Sequence, residues 1–309
     1  MTSSIPQLIE SCGFCRAGEV EGLQKMKTGM TKEMTDHKVA LIAQDGGGQY
    51  IIRVPGEGTE QMINRAQEHA VYNVIAPLGI SEEVHYFDPM SGIKISSYLK
   101  GTHTCHSDDW EEVALCMSAL RSFHGRKLRV EHSFDLWERI DFYESLWNGE
   151  KSLYVDYRQT KETVLSLRRF IDAQPKTLQL CHIDSIPDNF LFSESPCGGK
   201  TIKLIDWEYS GTQDPHLDIA MFIVYAMYDR AQADRLIDLY FTEGCDEAVR
   251  LKIYCYIAVS GLLWSNWCEF KHHCGINFGE YALRQYDYAK EYSSIFFDEY
   301  RKRFGAAYV

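Results

Sequence analysis

The sequence is short of Lys and Arg: 32 basic residues face 44 acidic ones, for a formal net charge of −12. Nucleic-acid binding needs grouped cations against the phosphate backbone, so neither DNA nor RNA is expected as a partner. Long hydrophobic runs are also missing. The longest, IAMFIVYAMY at 219–228 and the stretch from Tyr254 to Trp264, fall short of the roughly 20 residues a membrane helix needs. They read as buried core helices, with no membrane insertion. MTSSIPQLIESCGFCRAGEV, at the start, has no basic segment leading into an apolar one, so no secretory signal is expected. Internal repeats and low-complexity segments are absent. The ten Cys follow no repeating spacing, which argues against a disulfide framework and for reduced thiols in the cytoplasm. Cys12 and Cys15 form a lone C-x-x-C with no strand before it, and Cys268, His272, His273 and Cys274 stand far along the chain. A structural zinc site usually shows two tightly spaced pairs, so these read as small buried hydrophobes and a polar turn.

What is present is an ordinary globular composition, 45% hydrophobic and 25% charged, over 309 residues, enough for one large domain or two lobes. Lys38 to Ala43 and Tyr50 to Val54 read as strands joined by the glycine-rich turn DGGGQ. Glu60 to Ile75 shows helical spacing through Met62, Ala66, Val71 and Ile75. Val84 to Asp88 and Ile93 to Leu99 read as strands about a turn at Pro89 to Gly92. From Asp108 the pattern turns helical, with Asp108 and Asp109 as caps and Val113, Met117, Leu120 and Phe123 on one face. Three short apolar runs between Leu178 and Ile205 interrupt it, and helices follow near 216–229, 246–268 and 279–302. The expected fold class is α+β and two-lobed: a small β-rich N-terminal lobe, 1–100, and a larger, mainly helical C-terminal lobe, 101–309, hinged near Tyr98 to Thr104.

The densest chemical signal lies in CHIDSIPDNFLF and KLIDWEYSGTQDPHLDIAMF. The first holds His182-x-Asp184-x-x-x-x-Asn189, the spacing of a kinase catalytic loop without the Arg between His and Asp. The second places Asp206 at the end of a β-type run, 17 residues after Asn189. Phosphoryl transfer needs a carboxylate to orient the attacking hydroxyl and accept its proton, and oxygen ligands to hold Mg²⁺ against the phosphates. Asp184 suits the first task, Asn189 and Asp206 the second. A lone H-x-D in a loop is usually a capped turn, and a lone Asp after a strand is ordinary. The three in this order carry the reading.

The strings HIDSIPDNFL and IDWEYSGTQDPHLDIA resemble the motifs of the choline/ethanolamine kinase family, particularly its bacterial members, within the wider aminoglycoside phosphotransferase superfamily. TGMTKEM at 28–34 is similar to the family's phosphate loop, and YIIRVPGEGTEQMINRAQE at 50–68 to its nucleotide strand and following helix. The resemblance implies a protein-kinase-like fold with ATP as phosphoryl donor and Mg²⁺ as cofactor. It implies phosphate contacts from Gly29, Thr31, Lys32 and Arg53, with Glu68 pairing Arg53, and adenine recognition by backbone around Ser97 to Leu99. Lys32 stands where relatives often have Asn, and the hinge ISSYLKGTHT lacks their acidic residues, which leaves ATP against GTP open. Asp218 resembles the residue that braces the catalytic loop, with His182 as further structural support. Asp214 precedes it in the same DPHLD string. Glu208 is a candidate for a second Mg²⁺ or for the acceptor.

For the acceptor, SGLLWSNWCEF and INFGEYALRQYDYAKEY again resemble choline kinases, at Trp264, Trp267 and Tyr281. A quaternary ammonium has no N–H to donate and is recognised by aromatic faces, at about 0.5–2 kcal/mol per contact. Two Trp three residues apart share one helical face, although aromatics at that spacing usually belong to a core. The resulting expectation is choline kinase, making phosphocholine from choline and Mg-ATP. Ethanolamine kinase, another small-alcohol or aminoglycoside phosphotransferase, and a nucleotide-binding pseudokinase are the alternatives. A binding module has no chemical need for Asp184, Asn189 and Asp206 together.

Overall fold

The β-type runs of the first hundred residues pair into one antiparallel sheet, ordered β1-β2-β3-β5-β4. Its strands are β1 (Val20–Lys25), β2 (Lys38–Gln44), β3 (Gln49–Val54), β4 (Val84–Phe87) and β5 (Lys94–Ser97). The structure, a computed structural model, describes residues 10, 20–25, 38–44, 48–56, 59–194 and 198–305. Strand β1, VEGLQK, was not expected, because a mostly polar run with an internal Gly carries little strand signal. Register places Ile52 opposite Ile95 and Arg53 opposite both Val39 and Lys94. The two isoleucines are buried, as are Val71 and Ile75 of helix α1 (Arg65–Ile75). The helix starts later than the expected Glu60. Residues Thr59–Gln61 form a separate 3-10 turn, and Asn64, in extended conformation, caps α1 by accepting the Gln67 N–H at 3.1 Å.

Two compact units divide the chain. One holds the described residues up to Thr104 together with Asp188–Tyr209; the other holds Cys105–Pro187 and the described residues from Ser210 on. The expected division at residue 100 is linear, whereas these units interleave. Strand pairing explains why 188–209 belongs to the first. Strands β6 (His103–Thr104), β8 (Phe190–Glu194) and β9 (Lys200–Leu204) form a three-stranded sheet with β8 in the middle. The Leu204 N–H donates to Ile80 O at 2.8 Å, and the Trp207 indole donates to Ser81 Oγ at 3.2 Å.

In the second unit β7 (Gln179–Cys181) pairs with β10 (Gly211–Gln213). Its helices are α2 (Trp110–His124), α3 (Leu136–Ser145), α4 (Tyr157–Ser166), α5 (Arg168–Ala173), α6 (His216–Tyr225), α7 (Arg230–Tyr240), α8 (Glu247–His273) and α9 (Glu280–Phe304). Asp109, Asp135, Asp229 and Asp246 each accept first-turn backbone N–H groups and so set the starts of α2, α3, α7 and α8. The single helix expected near 216–229 ends at Tyr225: Met227 takes a left-handed φ of 53°, and the Asp229 cap then starts α7. Every residue from Leu251 to Glu269 of α8 is buried. Even Lys252 lies inside, donating to Asp214 Oδ2 at 2.7 Å and to Pro175 O at 3.0 Å. Among the described residues no helix is long and apolar enough to cross a membrane.

Candidate active site

The hairpin of β8 and β9 closes the 17-residue gap between Asn189 and Asp206. Phe190 pairs with Leu204, and the Ile205 N–H donates to Asn189 O at 2.9 Å. Asn189 and Asp206 therefore lie at the same end of the hairpin. Asp206 has a φ of 66°, a left-handed conformation that costs a non-glycine residue about 1–3 kcal/mol and recurs at functional positions.

Asp206 borders a buried ionic cluster in the same unit. Arg53, on β3, grips Glu68 of α1 with two bonds, Nη1 to Oε1 at 2.6 Å and Nη2 to Oε2 at 2.9 Å. Its Nη2 also donates to Gly92 O at 3.3 Å. Arg65, one turn before Glu68, donates through Nη1 to Glu68 Oε2 at 2.7 Å and to Glu208 Oε2 at 2.9 Å. Arg53 Nη1 lies 3.7 Å from Glu208 and 4.0 Å from Asp206. Burial alone would lower the Arg53 pKa, but the charge and hydrogen bonds of Glu68, with Glu208 and Asp206 behind them, hold it above the ordinary guanidinium value.

Two guanidinium groups thus meet three carboxylates, leaving one negative charge in excess. The side chains of Glu68 and Glu208 are 0% and 11% exposed and are engaged by arginine, whereas that of Asp206 is 39% exposed. The partly exposed Asp206 carboxylate and the amide oxygen of the buried Asn189 are hard oxygens of the kind Mg²⁺ takes, so the residues fit that ion. Sequence reasoning missed Arg65. Its i,i+3 spacing to Glu68 was the available signal.

At the end of β5, the Ser97 N–H donates to Glu83 O at 2.8 Å and the Tyr98 N–H to Gln49 O at 3.0 Å. Leu99 O accepts the Thr102 hydroxyl at 2.8 Å. Gly29, Thr31 and Lys32 lie outside the described residues, as do Cys12 and Cys15. Among the described residues, the groupings of three or more potential metal ligands do not include Cys268, His272, His273 or Cys274.

The second unit holds the loop after β7. Asp218 of α6 is fully buried and accepts the backbone N–H groups of His182, at 2.9 Å to Oδ2, and Ile183, at 2.7 Å to Oδ1. Ser185 Oγ donates to Asp218 O at 2.6 Å, and Ser210 Oγ to His182 O at 3.0 Å. Ile183 has a φ of 70°, an outlier for a β-branched residue. The carboxylate thus holds a strained turn, and Asp184 follows it directly, half-buried, with its O accepting the Ile186 N–H at 2.8 Å.

The predicted aromatic residues come together in this unit. Trp264 and Trp267 pack edge to face with centroids 6.0 Å apart, Trp267 meets Phe278 at 5.0 Å, and Phe278 meets Tyr281 at 6.4 Å. Tyr225 joins from α6, 6.0 Å from Tyr281. Phe278 and Tyr225 were not anticipated, since neither shares the helical spacing of the two Trp. Burial pushes the Tyr281 phenol well above its ordinary pKa, and neighbouring ionisable groups, Cys268, Tyr225 and Asp184, add to the shift. Asp184 therefore lies within electrostatic reach of Tyr281.

Comparison with known proteins gives a consistent result. Residues 23–238 match the family model described as choline/ethanolamine kinase. Protein LicA of Haemophilus influenzae is 30% identical over 270 residues, covering 83% of this chain and 97% of that one. The solved structure of choline kinase LicA from Streptococcus pneumoniae is similar over 94% of this chain and 98% of that one, with a TM-score of 0.77 and 27% identity. A choline/ethanolamine kinase family protein from Mesorhizobium loti gives a TM-score of 0.74 and 25% identity over 93% of each chain.

Proposed function

Since this chain belongs to the choline/ethanolamine kinase family and is a small-molecule ATP-dependent kinase, we propose that its acceptor is choline and its product phosphocholine. The observation that carries this reading is the row of five rings, Trp264, Trp267, Phe278, Tyr281 and Tyr225, in the same unit as Asp184. Three N-methyl groups favour aromatic surroundings, whereas a primary ammonium needs acceptors to replace its lost water. The buried carboxylate on the same helix as the two Trp, Glu269, is already engaged by Ser152 Oγ at 2.6 Å and the Leu153 N–H at 2.8 Å.

In this reading Asp184 orients the choline hydroxyl and accepts its proton as the oxygen bonds to the γ-phosphorus of ATP and the bond from that phosphorus to the bridging oxygen breaks, releasing ADP. Asp218 and His182 support the loop that carries it. Asn189 and Asp206 would hold Mg²⁺, which when bound would neutralise phosphate charge. Arg53, fixed by Glu68, would be the strand cation that meets the nucleotide phosphates, and Glu208 fixes Arg65 in turn. Gly29, Thr31 and Lys32 would meet the phosphates, and the chain around Ser97 to Leu99 the adenine. A cytoplasmic location belongs to the same reading and is supported by free thiols at Cys105, Cys116, Cys181, Cys255 and Cys268.

Two variants test these assignments in one steady-state experiment. Asp184→Asn is expected to lower kcat by about 10²–10⁴-fold with nucleotide binding nearly intact. Trp264→Ala is expected to raise the KM for choline by more than about tenfold, roughly 1.4 kcal/mol, with a smaller change for ATP. A folded Trp264→Ala enzyme with an unchanged choline KM would remove the aromatic recognition, and wild-type turnover in Asp184→Asn would remove the base.

A further inference from the structure

We infer that His124 is a positioning residue for Asp184, acting through Asp218. The inference rests on the kinase reading above. The Asp218 carboxylate accepts a third N–H besides those of His182 and Ile183: His124 Nε2 lies 2.9 Å from Oδ2. His124 sits at the last turn of α2 and is buried, and its other ring nitrogen, Nδ1, lies 2.9 Å from the Tyr240 hydroxyl.

An ionised carboxylate only accepts hydrogen bonds, so His124 must present Nε2–H to Asp218. In the neutral ring Nδ1 is then the acceptor, and Tyr240 donates to it. Tyr240 thereby selects the tautomer that Asp218 requires. Both ring nitrogens are used, which argues against the other reading of this spot, a buried metal site made of His124, Cys181 and Asp218. The His124 carbonyl is fixed as well, by Gln179 Nε2 at 2.9 Å.

The consequence lies at Ile183. Its left-handed backbone persists only while its surroundings over-determine it, and the bond from its N–H to Asp218 Oδ1 is the shortest of the three at 2.7 Å. Rotation of the carboxylate about its Cβ–Cγ bond would lose the alignment to both loop N–H groups, and the Nε2–H of His124 opposes that rotation. Removing His124 therefore loosens the turn that sets Asp184 without touching any group assigned to substrate binding.

The test compares His124→Ala, His124→Gln and Tyr240→Phe in the full chain. Gln can return an N–H near the position of Nε2, and Phe keeps the ring while deleting the hydroxyl. His124→Ala should lower kcat about 10–100-fold with the KM for choline and ATP held within about twofold, since a misplaced base costs rate before binding. His124→Gln should recover to within about threefold of wild type, and Tyr240→Phe should lose about 3–10-fold. Amide hydrogen exchange of the peptide spanning residues 180–187 should quicken about tenfold in His124→Ala and Tyr240→Phe and return in His124→Gln. If His124→Ala does not fold, Tyr240→Phe carries the test alone. Unchanged kcat and unchanged exchange overturn the inference, as does a loss equal in His124→Gln and His124→Ala. A wild type with no phosphotransfer to any acceptor would instead overturn the kinase reading, and exchange at 180–187 would still decide whether His124 holds the loop.

Discussion

Asp214 shows at the scale of single residues how burial and charge combine in this protein. It is 1% exposed and accepts from Lys252 at 2.7 Å, from the Tyr256 hydroxyl at 3.1 Å and from the His216 N–H at 3.1 Å. The His216 ring lies beside it, with Nδ1 3.5 Å from Asp214 Oδ1. Burial, the largest effect, disfavours the imidazolium. The pull of Asp214 does not offset it, Lys252 adds to it, and the pKa falls from 6.5 to about 4. A depressed folded-state pKa means that the unfolded chain takes up the proton first as pH falls. His216 therefore contributes its full stability above pH 6.5 and loses it between 6.5 and about 4, an effect on the order of 3 kcal/mol. Urea unfolding at pH 7.5 and 4.5 checks this: wild type should lose more stability than His216→Gln across the interval, and equal losses would contradict it. Residues of this kind were not legible in the sequence, because a lone His at a helix start says nothing of its burial. Asp184, Asn189 and Asp206 stand out in the sequence by their spacing, and the pairing that brings Asn189 and Asp206 to one end of a hairpin follows from the apolar runs between them. Arg65 was hidden because the sequence alone does not show which face of α1 meets Glu208.

Among the secondary-structure elements, α8 and α9 approach closely at Gly261. A Cβ on Gly261 would come 2.6 Å from Gln285 O, 2.7 Å from Tyr288 Cβ and 3.0 Å from Ala289 N, so the two helices touch through bare backbone. Alanine would gain about 1 kcal/mol of helix propensity, yet overpacking of this kind costs about 1–3 kcal/mol and here meets backbone atoms that cannot swing aside. Gly261→Ala is expected to lower Tm by a few degrees, at roughly 2–4 °C per kcal/mol for a unit this large. A raised or unchanged Tm by differential scanning calorimetry would show that the helices separate freely. Most elements were readable because their signals are local: short apolar runs in β2 and β3, an Asp cap before α2, a helical pattern in α9. The exceptions have local causes too. Strand β1 is too polar to announce itself, and the break after Tyr225 depends on the left-handed turn at Met227.

Across the whole molecule the fold is protein-kinase-like, with a small antiparallel sheet region and a mostly helical remainder. The assignment of 188–209 to the first unit was not legible, because β8 pairs with β6 across almost ninety residues of chain, and pairing at that distance leaves no mark on either strand. The family, by contrast, was legible from the two short strings that hold Asp184, Asn189 and Asp206. In the proposed reading, what separates choline from its alternatives is the environment of the acceptor nitrogen, assigned to the row of rings. Steady-state ADP release by the wild-type enzyme, compared across choline, ethanolamine, thiamine and an aminoglycoside with Mg-ATP as donor, tests that most directly. The account predicts that kcat/KM is highest for choline, by about tenfold or more over ethanolamine, the difference expected when aromatic faces meet three methyl groups instead of an ammonium that must give up its water. A kcat/KM that is equal for the two amines, or higher for ethanolamine or for any other acceptor in the set, would contradict it.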